Sequence, residues 1–281
     1  MGTSQSSNGS PSGVPMVPPW VPDIKPDTDY VGGDEGQLPE PQETPTQEQP
    51  NDSSVIAPTG RFGPARASLN KFAGEGGTPN RNSGLKHYVK RGYGGSKGAV
   101  KRMGGTVSKA GSLYSALLPG DQNPFSSTGG ALDPILMTGR SAEEVMDAIV
   151  EAVSPIDGTL DSESSRASIK DALSEVLEEE PQADLTQLTQ EQRELAIMHF
   201  MAGDVFRRID LDLGKDIREH APNASQGMKR LKEVKDYVKQ TIFASFRKIK
   251  ESGQSISSKT ITDVAKKTIR DTFEIFEAYG L

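Results

Sequence analysis

The three histidines of this 281-residue chain, His87, His199 and His220, are scattered, and cysteine is absent. Zinc held by His-x-x-x-His spacing or by thiolates is therefore not expected. A cysteine nucleophile, a disulfide and a Cys-linked lipid are excluded. His199 falls inside an amphipathic stretch and reads as a structural or surface residue. Glu143 and Asp147 share a helix face, but i, i+4 acids are ordinarily solvated, so no general acid or base is assigned.

Two other segments carry groups that could do chemistry. RGYGGSKGAVKRMGG, residues 91–105, gathers glycines around Lys97 in the manner of a phosphate loop. It lacks the GxxxxGK[ST] order, and no apolar strand leads into it. Lys86, Lys90, Arg91, Lys97, Lys101 and Arg102 then read either as contacts to phosphate or an acidic partner, with Tyr88 and Tyr93 available for stacking, or as a basic face that neutralises the chain's own acidic part. At the start, Gly2 and Ser6 satisfy M-G-x-x-x-[ST], a pattern short enough to arise by chance. Removal of Met1 would expose the Gly2 amine, whose pKa of ~8 leaves an uncrowded nucleophile suited to acylation.

The elements that must position these groups divide the chain in three. Residues 1–60 are rich in Pro, Gly, Ser and acid and bury too little to offset the entropy of ordering, so a disordered tail is expected. Within it, residues 14–23 (VPMVPPWVPD) hold the only tryptophan, Trp20, among prolines that pre-set an extended backbone, and read as a partner-binding segment or as a plain linker. Residues 61–120 form a basic, Gly-rich helical hairpin with helices expected over 83–91, 96–103 and 108–118, thin enough in apolar content to need a neighbour.

Residues 131–281 show five amphipathic helices and no convincing strand. Capping boxes at Ser141/Glu144 and Thr189/Gln192 open two of them, a third covers 162–179, and the stripe Met228, Leu231, Val234, Val238, Ile242, Phe246, Ile249 marks a fourth. The last spans 260–279 with Ile261, Val264, Ile269, Phe273 and Phe276 on one side. The fold class is all-α, a helical bundle behind a disordered tail.

Charge follows the same division. Residues 61–111 hold eleven Lys or Arg against Glu75, a net of +10, between acidic flanks of −8 and −9, which gives the overall −7. Such a block can be neutralised within the molecule, so nucleic-acid binding does not follow from it. No apolar run approaches the ~20 residues of a membrane span, and a cytoplasmic protein is expected.

MGTSQSS and PMVPPWVPD at the start, HYVKRGYGGSKGAVKRMGG in the middle and the helical ending resemble the QatB family, components of bacterial anti-phage systems that also contain a QueC-like enzyme, an ATPase and a TatD-type nuclease. The resemblance implies a non-catalytic component of a defence complex, with no cofactor of its own. Its QueC-like partner, QatC, would use ATP and a 7-deazaguanine precursor, and the QatA ATPase and QatD nuclease are further partners. It also implies conjugation at an N-terminal glycine. Gly2 is the first candidate, with Gly9 or Gly13 serving if the tail is cleaved. Thr3 and Ser4 would then lie in the partner's active site and Val17, Pro18, Pro19, Trp20 and Val21 on its surface. The alternative is a nucleic-acid-binding adaptor acting through the basic block.

Overall fold

The computed structural model describes residues 57–279. The tail expectations, from Gly2 to the Trp20 segment, therefore lie outside the described residues. Eleven α-helices and no strand occur among those described: α1 (Gly63–Glu75), α2 (Thr78–His87), α3 (Ser96–Arg102), α4 (Gly104–Ala116), α5 (Pro134–Met137), α6 (Ala142–Val153), α7 (Leu160–Glu179), α8 (Gln190–Ile209), α9 (Lys215–His220), α10 (Ala224–Glu251) and α11 (Ile261–Ala278). Two π turns interrupt the series, Tyr88–Gly92 after α2 and Asp210–Gly214 between α8 and α9.

The helix starts are fixed by side chains that satisfy the first backbone N–H groups. Before α6, Glu144 N–H donates to Ser141 Oγ (3.3 Å) and Ser141 N–H donates to Glu144 Oε2 (2.8 Å). Thr189 and Gln192 repeat the exchange before α8, at 3.3 and 2.8 Å. Single caps from Thr159 and Asn223 open α7 and α10. Each such cap stabilises its helix by about 1 kcal/mol.

The long helices bury one stripe each. On α11, Ile261, Val264, Ile269, Phe273 and Phe276 are all buried, as the spacing predicts, and each contributes roughly 1.5–3 kcal/mol on removal from water. The α10 stripe is buried from Leu231 to Ile249, but Met228 is 64% exposed. Gly227 occupies the inward position of that first turn, where a Cβ would sit 3.4 Å from the Arg218 backbone, so the stripe starts one residue earlier and with no side chain.

The basic segment is built into the same core. One hydrophobic cluster runs from Phe62 to Phe276. Within it α4 packs on α8 and α11, α11 also covers α2 and α3, and α1 lies against α9. Sequence periodicity had not marked α1. Pro64 stands in its first turn, where the missing N–H costs nothing, and Ala65, Leu69, Phe72 and Ala73 are its buried face. The helix expected over 83–91 instead begins at Thr78 and gives way to the π turn at Tyr88.

Candidate functional site

The two π turns face each other across a cluster of aromatic rings. Tyr88 and Tyr93 both donate their hydroxyl hydrogens to Oδ2 of Asp212, at 2.9 and 2.8 Å. The rings are fully buried, meet edge to face at 5.3 Å, and pack on Phe62. Burial pushes the Asp212 carboxyl up, against the pull of the tyrosine hydrogen bonds and the Arg102 charge. Burial likewise pushes both phenols up, so they stay protonated and donating. This corrects one reading of the sequence: Tyr88 and Tyr93 are core residues and offer no face to a base.

The Gly-rich turn answers the phosphate-loop comparison in a similar way. The Ser96 backbone N–H, at the first turn of α3, donates to Glu277 Oε2 on α11 (3.0 Å), so a carboxylate of the chain itself takes the place an anion would occupy. Gly98 is required there for a steric reason, because a Cβ would fall 1.9 Å from the Tyr93 carbonyl oxygen.

Arg102, at the end of α3, points inward. Its two terminal nitrogens donate to the two oxygens of Asp161 at 2.7 and 3.0 Å, and Arg208 reaches Asp161 Oδ1 at 2.6 Å. Burial alone would push the Asp161 carboxyl up, but the Arg102 hydrogen bonds and the two guanidinium charges hold it well below the ordinary carboxylate range. The ladder continues to Asp204, fully buried, which lies 3.7 Å from Arg208 Nε and accepts from Thr106 Oγ1 (2.5 Å) and Ser165 Oγ (2.9 Å). Here the acidic partner of Arg102 comes from α7 of the same chain. The hydroxyls are all donors to carboxylate, so this arrangement welds α3, α4, α7 and α8 together and presents no activated nucleophile.

A second polar cluster joins α7, α8 and α10. His199, 6% exposed, lies between two carboxylates, with Nδ1 3.3 Å from Glu175 Oε2 and Nε2 3.2 Å from Glu179 Oε1. Glu175, Glu179 and His199 bring ligand-type atoms within 4.8 Å of one another, a proximity invisible to sequence spacing. The imidazole nevertheless turns a different nitrogen to each acid, and Glu175 Oε2 already accepts from Lys239 Nζ at 2.8 Å. A single ion would use one of those nitrogens and displace the lysine, and a neutral imidazole, with one N–H, can donate to only one of the two acids.

Burial, reinforced by Lys239, lowers the His199 pKa against the opposing pull of Glu175 and Glu179. The unfolded chain thus takes up a proton that the folded chain resists, and stability falls as pH drops below about 6.5. His87 is shifted the same way, chiefly by burial. Thermal unfolding of His199→Gln between pH 7 and 5.5 is expected to be flatter than that of the unaltered chain, with the His87 contribution remaining. Parallel curves would show that His199 does not carry the dependence.

Of the other basic residues singled out by the sequence, Lys90, Arg91, Lys97 and Lys101 are exposed and Lys86 is half-buried, arrayed along α2, the first π turn and α3. Gly2, Thr3, Ser4, Val17, Pro18, Pro19, Trp20 and Val21 lie outside the described residues. Asp161, Asp204, Arg208, Asp212 and Glu277 were not foreseen. Asp204 alone left a trace, as an acid inside the otherwise apolar run IMHFMAGDVF.

Residues 94–276 match the family model described as QatB, Qat anti-phage system associated protein QatB. The chain belongs to the QatB family. It therefore has a role in the Qat anti-phage defence system, alongside the other components of that system. No curated protein and no solved structure matches it. The QatB match opens at Gly94, inside the Gly-rich turn, and closes at Phe276, next to Glu277, so it takes in the Arg102–Asp161–Asp204 ladder and the acid of the second π turn. Among the described residues no helix is long and apolar enough to cross a membrane.

Proposed function

We propose that this QatB chain is a non-catalytic component of the Qat defence complex that binds a QueC-like partner through its N-terminal tail and is that partner's protein substrate. The observation that carries this reading is the family match over residues 94–276. It is supported by the inward use of the polar groups in the body: Asp161, Asp204 and Asp212 each face arginines, tyrosines or hydroxyls of the same chain. The body then acts as scaffold, and the Gly2 amine is the reactive end. The partner, using ATP and a 7-deazaguanine carboxylate, would acylate that amine, forming an amide as the activated carboxylate's leaving group departs and the amine loses a proton. Val17, Pro18, Pro19, Trp20 and Val21 grip the partner while Thr3 and Ser4 enter its site.

Intact-mass measurement of the chain after coexpression with the QueC-like partner tests this. The expected result is added mass on the N-terminal peptide, absent when Gly2 is replaced by proline and when the partner is omitted. An N-terminal peptide of unmodified mass, including peptides beginning at Gly9 or Gly13, would sink the substrate role. The buried state of Tyr88 and Tyr93 and the internal pairing of Arg102 weigh against the adaptor alternative, since they remove the stacking pair and one cation from its surface.

A further inference from the structure

A cavity of about 470 Å³ opens between the end of α4, the connector that follows it, α5, α6 and the loop joining α7 to α8. Its floor is apolar, formed by Leu132, Met137, Val145, Ile149 and Leu185. A second hollow of about 430 Å³ shares Met137, Val145 and Leu185 and extends the first past Arg140. Beside them α5 leaves Ile135 79% and Leu136 49% exposed. The fifteen described residues that line the first cavity carry no charge, in a chain where a quarter of all residues do.

We propose that this groove is the resting site of the chain's own segment Val14–Val21, bound in cis when no partner holds it. Three observations select that occupant. The first 22 residues contain no charged side chain, matching the uncharged lining, and acid begins only at Asp23. The segment has five apolar side chains among prolines, and a polyproline backbone, with three residues per turn, would set Val14, Val17 and Trp20 along one edge. Its eight residues would span about 25 Å in that form, and a cavity of this size falls in the range that takes an aromatic anchor and its neighbours.

Reach also permits it. Residues 22–56 link the segment to Ala57, where the described chain begins, and a chain of that many residues can span at most roughly 120 Å. A body of this length has a radius of gyration of about 17 Å, so every face lies within range. Tethering raises the local concentration of the segment to the order of millimolar, so a weak pocket suffices. The groove would then compete with the partner for the same side chains and withhold the tail until the partner arrives. This rests on the reading of Val14–Val21 as the anchor, and the test uses no partner.

Trp20 is the only tryptophan, so the emission of the full chain reports that one site. In the isolated full chain it should be blue-shifted from that of a peptide of residues 1–30, and acrylamide should quench it severalfold less. The shift should be independent of chain concentration. It should disappear in the double variant Thr138→Lys with Gln187→Lys, which places two charges on exposed rim positions, with far-UV circular dichroism unchanged. Emission identical to the free peptide, a shift that survives the double variant, or a shift that fades on dilution, as docking on a second copy would give, overturns the proposal.

A photo-cross-linker at position 20 supplies a measurement free of any groove substitution. Cross-links to residues 116–139 or 183–187 support the proposal, and cross-links confined to other parts of the body overturn it. Failure of the QueC-like partner to bind would remove the partner reading and leave these results standing.

Discussion

Replacing Asp161 with alanine is expected to lower stability by about 3–5 kcal/mol, because it strands two cations that are largely out of water. Arg102 and Arg208 are 11% and 3% exposed at their side chains, and Asp161 is their shared counter-charge. In a domain of this size each kcal/mol moves the melting temperature by roughly 2–4 °C, so a fall on the order of 10 °C should appear in calorimetry. The acid limb should flatten as well. Asp161 is depressed in the folded chain, so its contribution is present above the unfolded carboxylate range near pH 4 and is lost as pH falls through and below it. The quadruple replacement Arg102→Met, Asp161→Leu, Asp204→Asn, Arg208→Met should recover much of the loss, since it removes the charges of the ladder together and leaves no buried carboxylate beside a lost arginine. A single Asp161→Ala that melts with the unaltered chain would show that the ladder contributes little.

Trp20→Ala should weaken binding of the QueC-like partner by about 2 kcal/mol or more, which is roughly a 30-fold loss. The physical basis is the removal of the one large aromatic from a segment whose prolines have already reduced the entropy lost on docking. Salt separates this outcome from the nucleic-acid alternative. An uncharged anchor should bind almost equally well in dilute and moderate salt, whereas a footprint of about six phosphates would lose on the order of a thousandfold between roughly 50 and 200 mM. Titration of the full chain with partner and with DNA across that range measures both slopes. Partner binding that is unchanged by Trp20→Ala would end the anchor role.

The sequence disclosed the parts of the fold that depend on neighbours three or four residues apart. Ser141 with Glu144 and Thr189 with Gln192 announced their helices because both halves of each reciprocal cap lie within one turn. The α11 stripe was equally plain, since its five apolar side chains all meet the core. Met228 fits the spacing of the stripe but faces solvent, because Gly227 lies inward there and leaves no hydrophobic signal. α1 escaped notice because Pro64 and the surrounding glycines and cations resemble a breaker, although Pro in a first turn is permitted.

The polar clusters were hidden for a different reason. Asp212 is 124 residues from Tyr88, and Asp161 is 59 from Arg102. No local pattern encodes such pairs, and on a helical wheel each member resembles solvated surface. The charge blocks carried the coarse version of the message: a segment of net +10 beside acidic flanks needed a counterweight, and Asp161, Asp212 and Glu277 supply part of it.

The bond between Ser96 and Glu277 spans 181 residues, and that separation bears on how the chain is made. The basic segment leaves the ribosome first, while the acid that closes its Gly-rich turn is translated 181 residues after Ser96. Until then a stretch of net +10 stands without that counter-ion, open to the abundant polyanions of a translating cell. Contacts of such long sequence separation also form slowly, because the intervening loop must close before they return any energy. Premature termination just before Glu277 would thus yield a product with most of its helices and an uncapped cationic turn.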